Sequence, residues 1–235
     1  MGWGDSRGNR SDRFLACVAY LDGIHPSVVM CRGYYTRTVL AAYDWDGKNL
    51  KNRWVFDSNN PGCKDYAGQG NHNLRVGDVD GDGCDEIIYG SCAIDHNGKG
   101  LYTTEMGHGD AIHLTHFDPS RKGLQVWDCH ENKRDGSTYR DAATGEVLFQ
   151  IKDNTDVGRC MAADIDPTQP GVEMWSVASG GIRNVKGEVV KDRVRGLSCN
   201  MAVWWDGDLL RELLDRNMVS KYNWEKGVCE RIAIF

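Results

Sequence analysis

The sequence predicts an all-β fold, on three observations: apolar runs of strand length, glycine-marked turns between them, and an acidic corner that recurs along the chain. Residues 13–35, RFLACVAYLDGIHPSVVMCRGYY, hold two apolar runs about a turn at Asp22 and Gly23. Residues 36–57, TRTVLAAYDWDGKNLKNRWVFD, hold two more about Asp46 and Gly47. Four antiparallel strands in about 45 residues are the size of one propeller blade.

The pattern then recurs with variation. FLACVAYLDG, NHNLRVGDVDGDG, AIHLTHFDPSRKG, CMAADIDPTQPG and NMAVWWDGD each run a strand into an acidic corner, at Asp22, Asp80, Asp118, Asp166 and Asp206. Irregular intervals, mostly near 40 to 50 residues, predict four to five β-propeller blades with loop insertions. Two of the copies, FDPSRKGLQVWD and IDPTQPGVEMWS, share an Asp-Pro corner, a glycine and a tryptophan. AIDHNGKGLYTT, YRDAATGEVLFQI and IRNVKGEVV supply further hairpins. Only residues 206–217, DGDLLRELLDRN, have a helical spacing, through Leu209, Leu210, Leu213 and Leu214.

Composition narrows the classes. At 235 residues, 40% hydrophobic and 26% charged, the chain can bury a core and is not disordered. No run of about 18 apolar residues is present, so no membrane span or membrane partner is expected. With 28 basic and 34 acidic residues the net charge is −6, and no dense Lys/Arg cluster suggests a nucleic-acid partner. The nine cysteines form no CxxC pair. Most read as small core residues, such as Cys17 and Cys31, with one or two disulfide pairs left open.

The densest chemistry lies in residues 69–90, QGNHNLRVGDVDGDGCDEIIYG. Asp78, Asp80, Asp82 and Glu86 converge on one glycine turn, and hard oxygen ligands at that spacing suit Ca²⁺. An EF-hand would need a glutamate where Tyr89 stands, so the reading is a calcium loop between two strands. Asp164 and Asp166 are candidates for a further calcium site, as are the corners at Asp44, Asp46 and Asp118.

WGDSRGNRSDRFLACVAYLDG, RGYYTR, QGNH followed by DVDGDGCDEIIYG, HGDAIHL, DPSRKGLQVW, YRDAATGE, DVGRCMAADIDP and WWDGDLLRELLD together resemble the polysaccharide lyase family 11 rhamnogalacturonan lyases. The resemblance runs along essentially the whole chain. It implies part of an eight-bladed β-propeller with several structural calcium ions, without the small N-terminal β-domain and the last blades. It implies cleavage of the rhamnose-galacturonate backbone of pectin by β-elimination, a pectic polysaccharide as partner, secretion, and a monomer at full length.

β-Elimination needs the uronate carboxylate neutralised, a base for the C5 proton, and an acid or positive group at the leaving oxygen. On the resemblance, His72, His108 and Asp110 form a mixed His/carboxylate metal centre, and imidazole ligands leave room there for a divalent ion other than calcium. Arg159 is the expected carboxylate-binding residue and, with His72 and His108, a candidate for the catalytic set. Asn200, Arg140 and Arg183 are expected to bind sugar. Trp204 and Trp205 suit either sugar stacking or blade packing. No lysine or tyrosine stands out as the base, which the resemblance places in blocks not contained in this chain. The alternative expectation is a calcium-stabilised propeller that binds carbohydrate or protein without catalysis.

Overall fold

The computed structural model describes residues 2–178 and 181–235. Among the described residues, twenty strands form five four-stranded sheets, in each of which every strand pairs antiparallel with its neighbour in the chain. The first sheet is β1 (Phe14–Ala19), β2 (Ser27–Arg32), β3 (Val39–Trp45) and β4 (Leu50–Asp57), the four strands expected from residues 13–57. The second is β5 (Arg75–Gly77), β6 (Glu86–Ile88), β7 (Cys92–Ile94) and β8 (Gly100–Thr103). The third is β9 (Gly109–Thr115), β10 (Gln125–His130), β11 (Ser137–Asp141) and β12 (Val147–Ile151). The fourth is β13 (Cys160–Ala163), β14 (Glu173–Ser176), β15 (Ile182–Arg183) and β16 (Val189–Lys191). The fifth is β17 (Met201–Val203), β18 (Glu212–Asp215), β19 (Met218–Asn223) and β20 (Val228–Ile234).

All five acidic corners fall at the same place, between the first and second strand of a sheet. The helical spacing of residues 206–217 is overturned. Residues 206–210 form the corner and Glu212–Asp215 is strand β18, paired with β17 and β19. Its leucine spacing lost to the register of a buried strand, in which Glu212 and Leu213 are both wholly buried. The α-helix among the described residues is one turn, Gly8–Ser11, and no helix is long and apolar enough to cross a membrane. All nine cysteines are free thiols, four of them buried, so the disulfide option is not taken up.

Four hydrophobic clusters each lie between consecutive sheets. Leu21, Val29, Leu40 and Phe56 of the first sheet pack on Ile87, Tyr89 and Ile94 of the second. Val79 and Ile88 meet Ile112 and Val126. Trp127 and Tyr139 meet Met174 and Val185, and Trp175 and Ile182 meet Leu213 and Tyr222. A middle sheet therefore has core on both faces, which is why β10 is buried at every position. Indole N–H groups tie neighbours together: Trp54 donates to His96 O (2.8 Å), Trp127 to Trp175 O (3.2 Å) and Trp175 to Ser198 O (2.8 Å). The first strands β1, β5, β9, β13 and β17 lie side by side in that order.

Four of the five corners share one internal device. On the second strand a wholly buried side chain, Glu86, Gln125, Glu173 or Glu212, accepts backbone N–H groups of the corner. Glu86 takes Val79 N (2.9 Å), Gln125 takes Phe117 N (3.0 Å) and Asp118 N (3.2 Å), Glu173 takes Ile165 N (2.8 Å) and Asp166 N (2.9 Å), and Glu212 takes Trp205 N (2.8 Å). These bonds satisfy amides that the bend would otherwise bury without partners. The Glu86 and Glu173 carboxyls carry a burial cost that lifts them to about 7 and about 8.

Glu173→Gln should copy the third sheet, where the Gln125 amide also donates to Gly123 O (2.8 Å) and Gly171 stands in the matching place. A raised carboxyl stabilises the fold fully below its ordinary value and loses that contribution as pH rises through about 8. With chelator present, urea melts should show the variant more stable at about pH 8 by a few kcal/mol, and a flatter decline between about pH 5 and 8. Identical pH dependence in the two proteins would remove Glu173 as a buried acid.

Candidate functional site

The ends at which the first strands enter their sheets converge on one cavity of about 390 Å³. His72 precedes β5, Asp110 opens β9, Arg159 precedes β13 and Asn200 precedes β17, and all four line it with Arg75 and His113. Four predicted site residues from four consecutive sheets thus meet at one place. A second cavity of about 650 Å³ shares Arg75, His113 and Asn200 and runs on to Asp164, Trp204 and Arg211.

His72 is held on both ring nitrogens. Tyr34 Oη lies 3.1 Å from Nδ1, while Tyr35 Oη and Asp110 Oδ1 each lie 3.2 Å from Nε2. His108 packs parallel to the Tyr34 ring with centroids 5.2 Å apart, and its ring centroid is 4.9 Å from that of His72. His108 Nδ1 donates to Gly70 O at 2.5 Å, which leaves Nε2 as a lone pair. That buried Nε2 has no hydrogen-bond partner and faces Glu131 Oε1 at 3.4 Å. A lone pair facing a carboxylate oxygen is repulsive, and a cation between them would reverse the sign. His72, His108 and Glu131 present ligand atoms within 4.8 Å of one another. Burial holds both imidazoles neutral, His108 down to about 4, and neutral imidazole is the ligating form.

Glu131, Tyr34, Tyr35 and Arg75 are the site residues that sequence reasoning missed. Glu131 follows β10, and its backbone bond to His108 O (3.0 Å) holds it beside the imidazole. Tyr34 and Tyr35 lie in the RGYY block, just after β2. Arg75 opens β5; burial disfavours its charge, and among the described residues no carboxylate lies within ion-pair distance of it. Arg159 is more than half exposed, with Nη1 3.9 Å from Asp110 Oδ1.

In the acidic loop, Asp78, Asp80 and Glu86 come together, and Asp82 sits instead with Cys84 and His96. Asp78 accepts from Gly81 N (2.8 Å) and Gly83 N (3.1 Å), and Asp80 from Asp82 N (3.2 Å). Glu86 Oε1 is buried without a hydrogen bond, 3.6 Å from His96 Nδ1, and faces the other hard oxygen donors of the loop.

Three sequence expectations do not survive the geometry. Arg140 is wholly buried, pairs with Asp128 (2.9 Å) and also bonds Gly90 O, so it clamps the second and third sheets and cannot touch a polymer. Arg183 donates to Gly187 O (3.1 Å) within its own hairpin and lines neither cavity. Asp164 and Asp166 form no tight ligand group among the described residues: Asp166 Oδ1 is taken by Thr168 N (3.0 Å) and Thr168 Oγ1 (2.6 Å), and Asp164 faces the larger cavity. Asn200 lines the predicted cavity but also donates to Asp215 Oδ1 (3.0 Å). Of the two tryptophans, Trp204 lines the larger cavity under Arg211, and Trp205 packs on Phe235.

The cavity gathers cationic, imidazole and carboxylate groups from consecutive sheets of an all-β chain. All 235 residues match the family described as rhamnogalacturonan lyase family 11, C-terminal domain. Two proteins of Bacillus subtilis (strain 168) are similar: the rhamnogalacturonan exolyase YesX, 55% identical over 98% of this chain and 40% of its own length, and the rhamnogalacturonan endolyase YesW, 52% identical over 98% and 37%. The crystal structure of YesW superposes with a TM-score of 0.94 at 53% identity, covering 99% of this chain and 40% of that one. A Bacillus licheniformis rhamnogalacturonan lyase gives 0.95 at 54%, again over 99% and 40%. The chain belongs to the polysaccharide lyase family 11 rhamnogalacturonan lyases. It spans about 40% of the length of these relatives.

Replacing Arg140 by Ala strands the Asp128 carboxylate in the core, which costs about 3–5 kcal/mol. Chemical denaturation should show that loss. A variant as stable as the parent would reopen the substrate-binding role.

Proposed function

We propose that the chain is part of a rhamnogalacturonan lyase that cleaves the rhamnose-galacturonate backbone of pectic polysaccharide by β-elimination. The observation that carries this reading is the convergence of His72, Asp110, Arg159 and Asn200 on one cavity from four sheets. The five sheets are then consecutive blades of a propeller, with the first strands lining its axis. Support comes from the side-by-side first strands and from the two end sheets. Phe14, Val18, Met30 and Val55 on the first sheet and Met201, Trp224, Ile232 and Ile234 on the fifth are exposed apolar side chains, as on blades awaiting neighbours.

Arg159 at the cavity mouth and Arg75 deeper in supply two guanidinium groups for uronate carboxylates. Neutralising that carboxylate acidifies the C5 proton. Asn200 offers a hydrogen bond to a sugar hydroxyl. His72, His108 and Glu131 would hold a divalent ion, with Asp110 ordering His72. Such an ion supplies Lewis-acid stabilisation of developing negative charge. Asp78, Asp80, Asp82 and Glu86 would hold a structural Ca²⁺. A polymer substrate of this size is met outside the cytoplasm, so secretion belongs to the same proposal.

The second reading, binding without catalysis, is favoured by one feature. No lysine lines the cavity among the described residues, and burial raises the Tyr34 and Tyr35 hydroxyls rather than lowering them.

The test is ultraviolet absorbance of the unsaturated uronate product on rhamnogalacturonan I, with polygalacturonate as control, using the full-length polypeptide that carries this chain. Arg159→Ala should lower kcat/KM by about 10²-fold with an unchanged melt. An unaltered rate would sink the role of Arg159, and no product from the parent would favour the binding reading.

A further inference from the structure

The fifth sheet repeats part of the acidic loop of the second, with Trp204 and Leu209 where that loop has Asp78 and Gly83. Asp206, Gly207, Asp208 and Glu212 stand where the second sheet has Asp80, Gly81, Asp82 and Glu86, and Trp205 N bonds Glu212 as Val79 N bonds Glu86. Asp206, Asp208 and Glu212 bring ligand oxygens within 4.8 Å of one another, and Glu212 is wholly buried. Yet the two loops are neutralised differently. In the second, the imidazole of His96 lies 3.6 Å from Glu86 Oε1 and 3.2 Å from Asp82 Oδ2. In the fifth, Lys221 Nζ, reaching across from β19, lies 2.5 Å from Asp206 Oδ2, 2.5 Å from Asp208 Oδ2 and 2.9 Å from Glu212 Oε1.

We infer that the fifth-sheet corner is a three-carboxylate divalent-cation site, held closed by the Lys221 ammonium in the position the cation would take. An ammonium ringed by three carboxylates is a fixed monovalent cation, and it cannot share that volume with Ca²⁺. The third sheet reaches electrical balance another way, since its buried acceptor is the neutral Gln125. The corner is reachable from solvent: a cavity of about 400 Å³ is lined by Asp208, Lys221 and Trp224. Removing the ammonium while keeping the stem, as in Lys221→Met, leaves three carboxylates with no counter-charge. They then have the hard-oxygen chemistry that takes Ca²⁺.

The inference rests on reading the Asp78–Glu86 loop as a calcium site, and the experiment separates the two. Equilibrium Ca²⁺ binding, with terbium(III) as a luminescent probe excited through tryptophan, is measured on the chain and three variants. Lys221→Met should bind one more equivalent of Ca²⁺, with new terbium emission because Trp205 adjoins Asp206 and Trp224 lines the opening. The double variant Asp206→Asn, Asp208→Asn in the parent should leave the stoichiometry unchanged, because that corner takes no metal while Lys221 is present. An unchanged stoichiometry in a folded Lys221→Met protein would overturn the inference. So would the loss of an equivalent in the double variant, a result that stands even where Lys221→Met fails to fold. Asp80→Asn with Glu86→Gln reports on the second loop alone. No loss there would reject the calcium reading of that loop and leave the Lys221 result to be judged by itself.

Discussion

A buried hydrogen-bond acceptor on the second strand is the constraint on which this architecture turns. Four of the five sheets bend sharply between first and second strand, and each bend would bury backbone N–H groups without partners. Glu86, Gln125, Glu173 and Glu212 meet that need from inside. The first sheet borrows its answer from the next one: Asp85 accepts from Tyr20 N (2.7 Å) and donates its own N–H to Tyr20 O (3.1 Å). Three of the four internal acceptors are carboxylates, so the solution to the hydrogen-bond problem creates a charge problem. The third sheet avoids it with a neutral amide, the fifth answers it with the Lys221 ammonium, and in the second and fourth burial lifts the Glu86 and Glu173 carboxyls to about 7 and about 8.

Much of this was legible in the sequence, because turns and strands announce themselves locally. The hairpin Asp22-Gly23, the corners at Asp80, Asp118, Asp166 and Asp206, and the four strands of residues 13–57 all stand where their pattern put them. The failures have one cause. Burial and side-chain direction are properties of the assembled sheets. Arg140 looked like Arg159 in sequence, yet it sits at zero exposure against Asp128 while Arg159 points into a cavity. The leucines of residues 206–217 followed a helical spacing, but Glu212 was required as a strand acceptor and Leu213 as core against the fourth sheet. Glu131 carried no sequence signal at all, since it reaches His108 through pairing between β9 and β10 and the bond from its N–H to His108 O.

The same stacking explains the candidate site. Consecutive first strands run side by side, so the residues that enter them are gathered automatically at one end, whatever lies in the loops between. His72, Asp110, Arg159 and Asn200 are far apart in the chain and share a wall because each occupies the entrance of its own sheet. A site assembled this way depends on the spacing of sheets, and hence on the packed cores between them. The geometry of that wall offers guanidinium groups, imidazoles and a carboxylate in one place.

The most direct test of this account is long-wavelength anomalous diffraction from crystals of the chain grown with Ca²⁺ and, separately, with Mn²⁺. The account predicts one peak among Asp78, Asp80 and Glu86 and another between His108 and Glu131 beside His72. A map without density at the Glu86 carboxylate would contradict the claim that its buried charge is met by a metal.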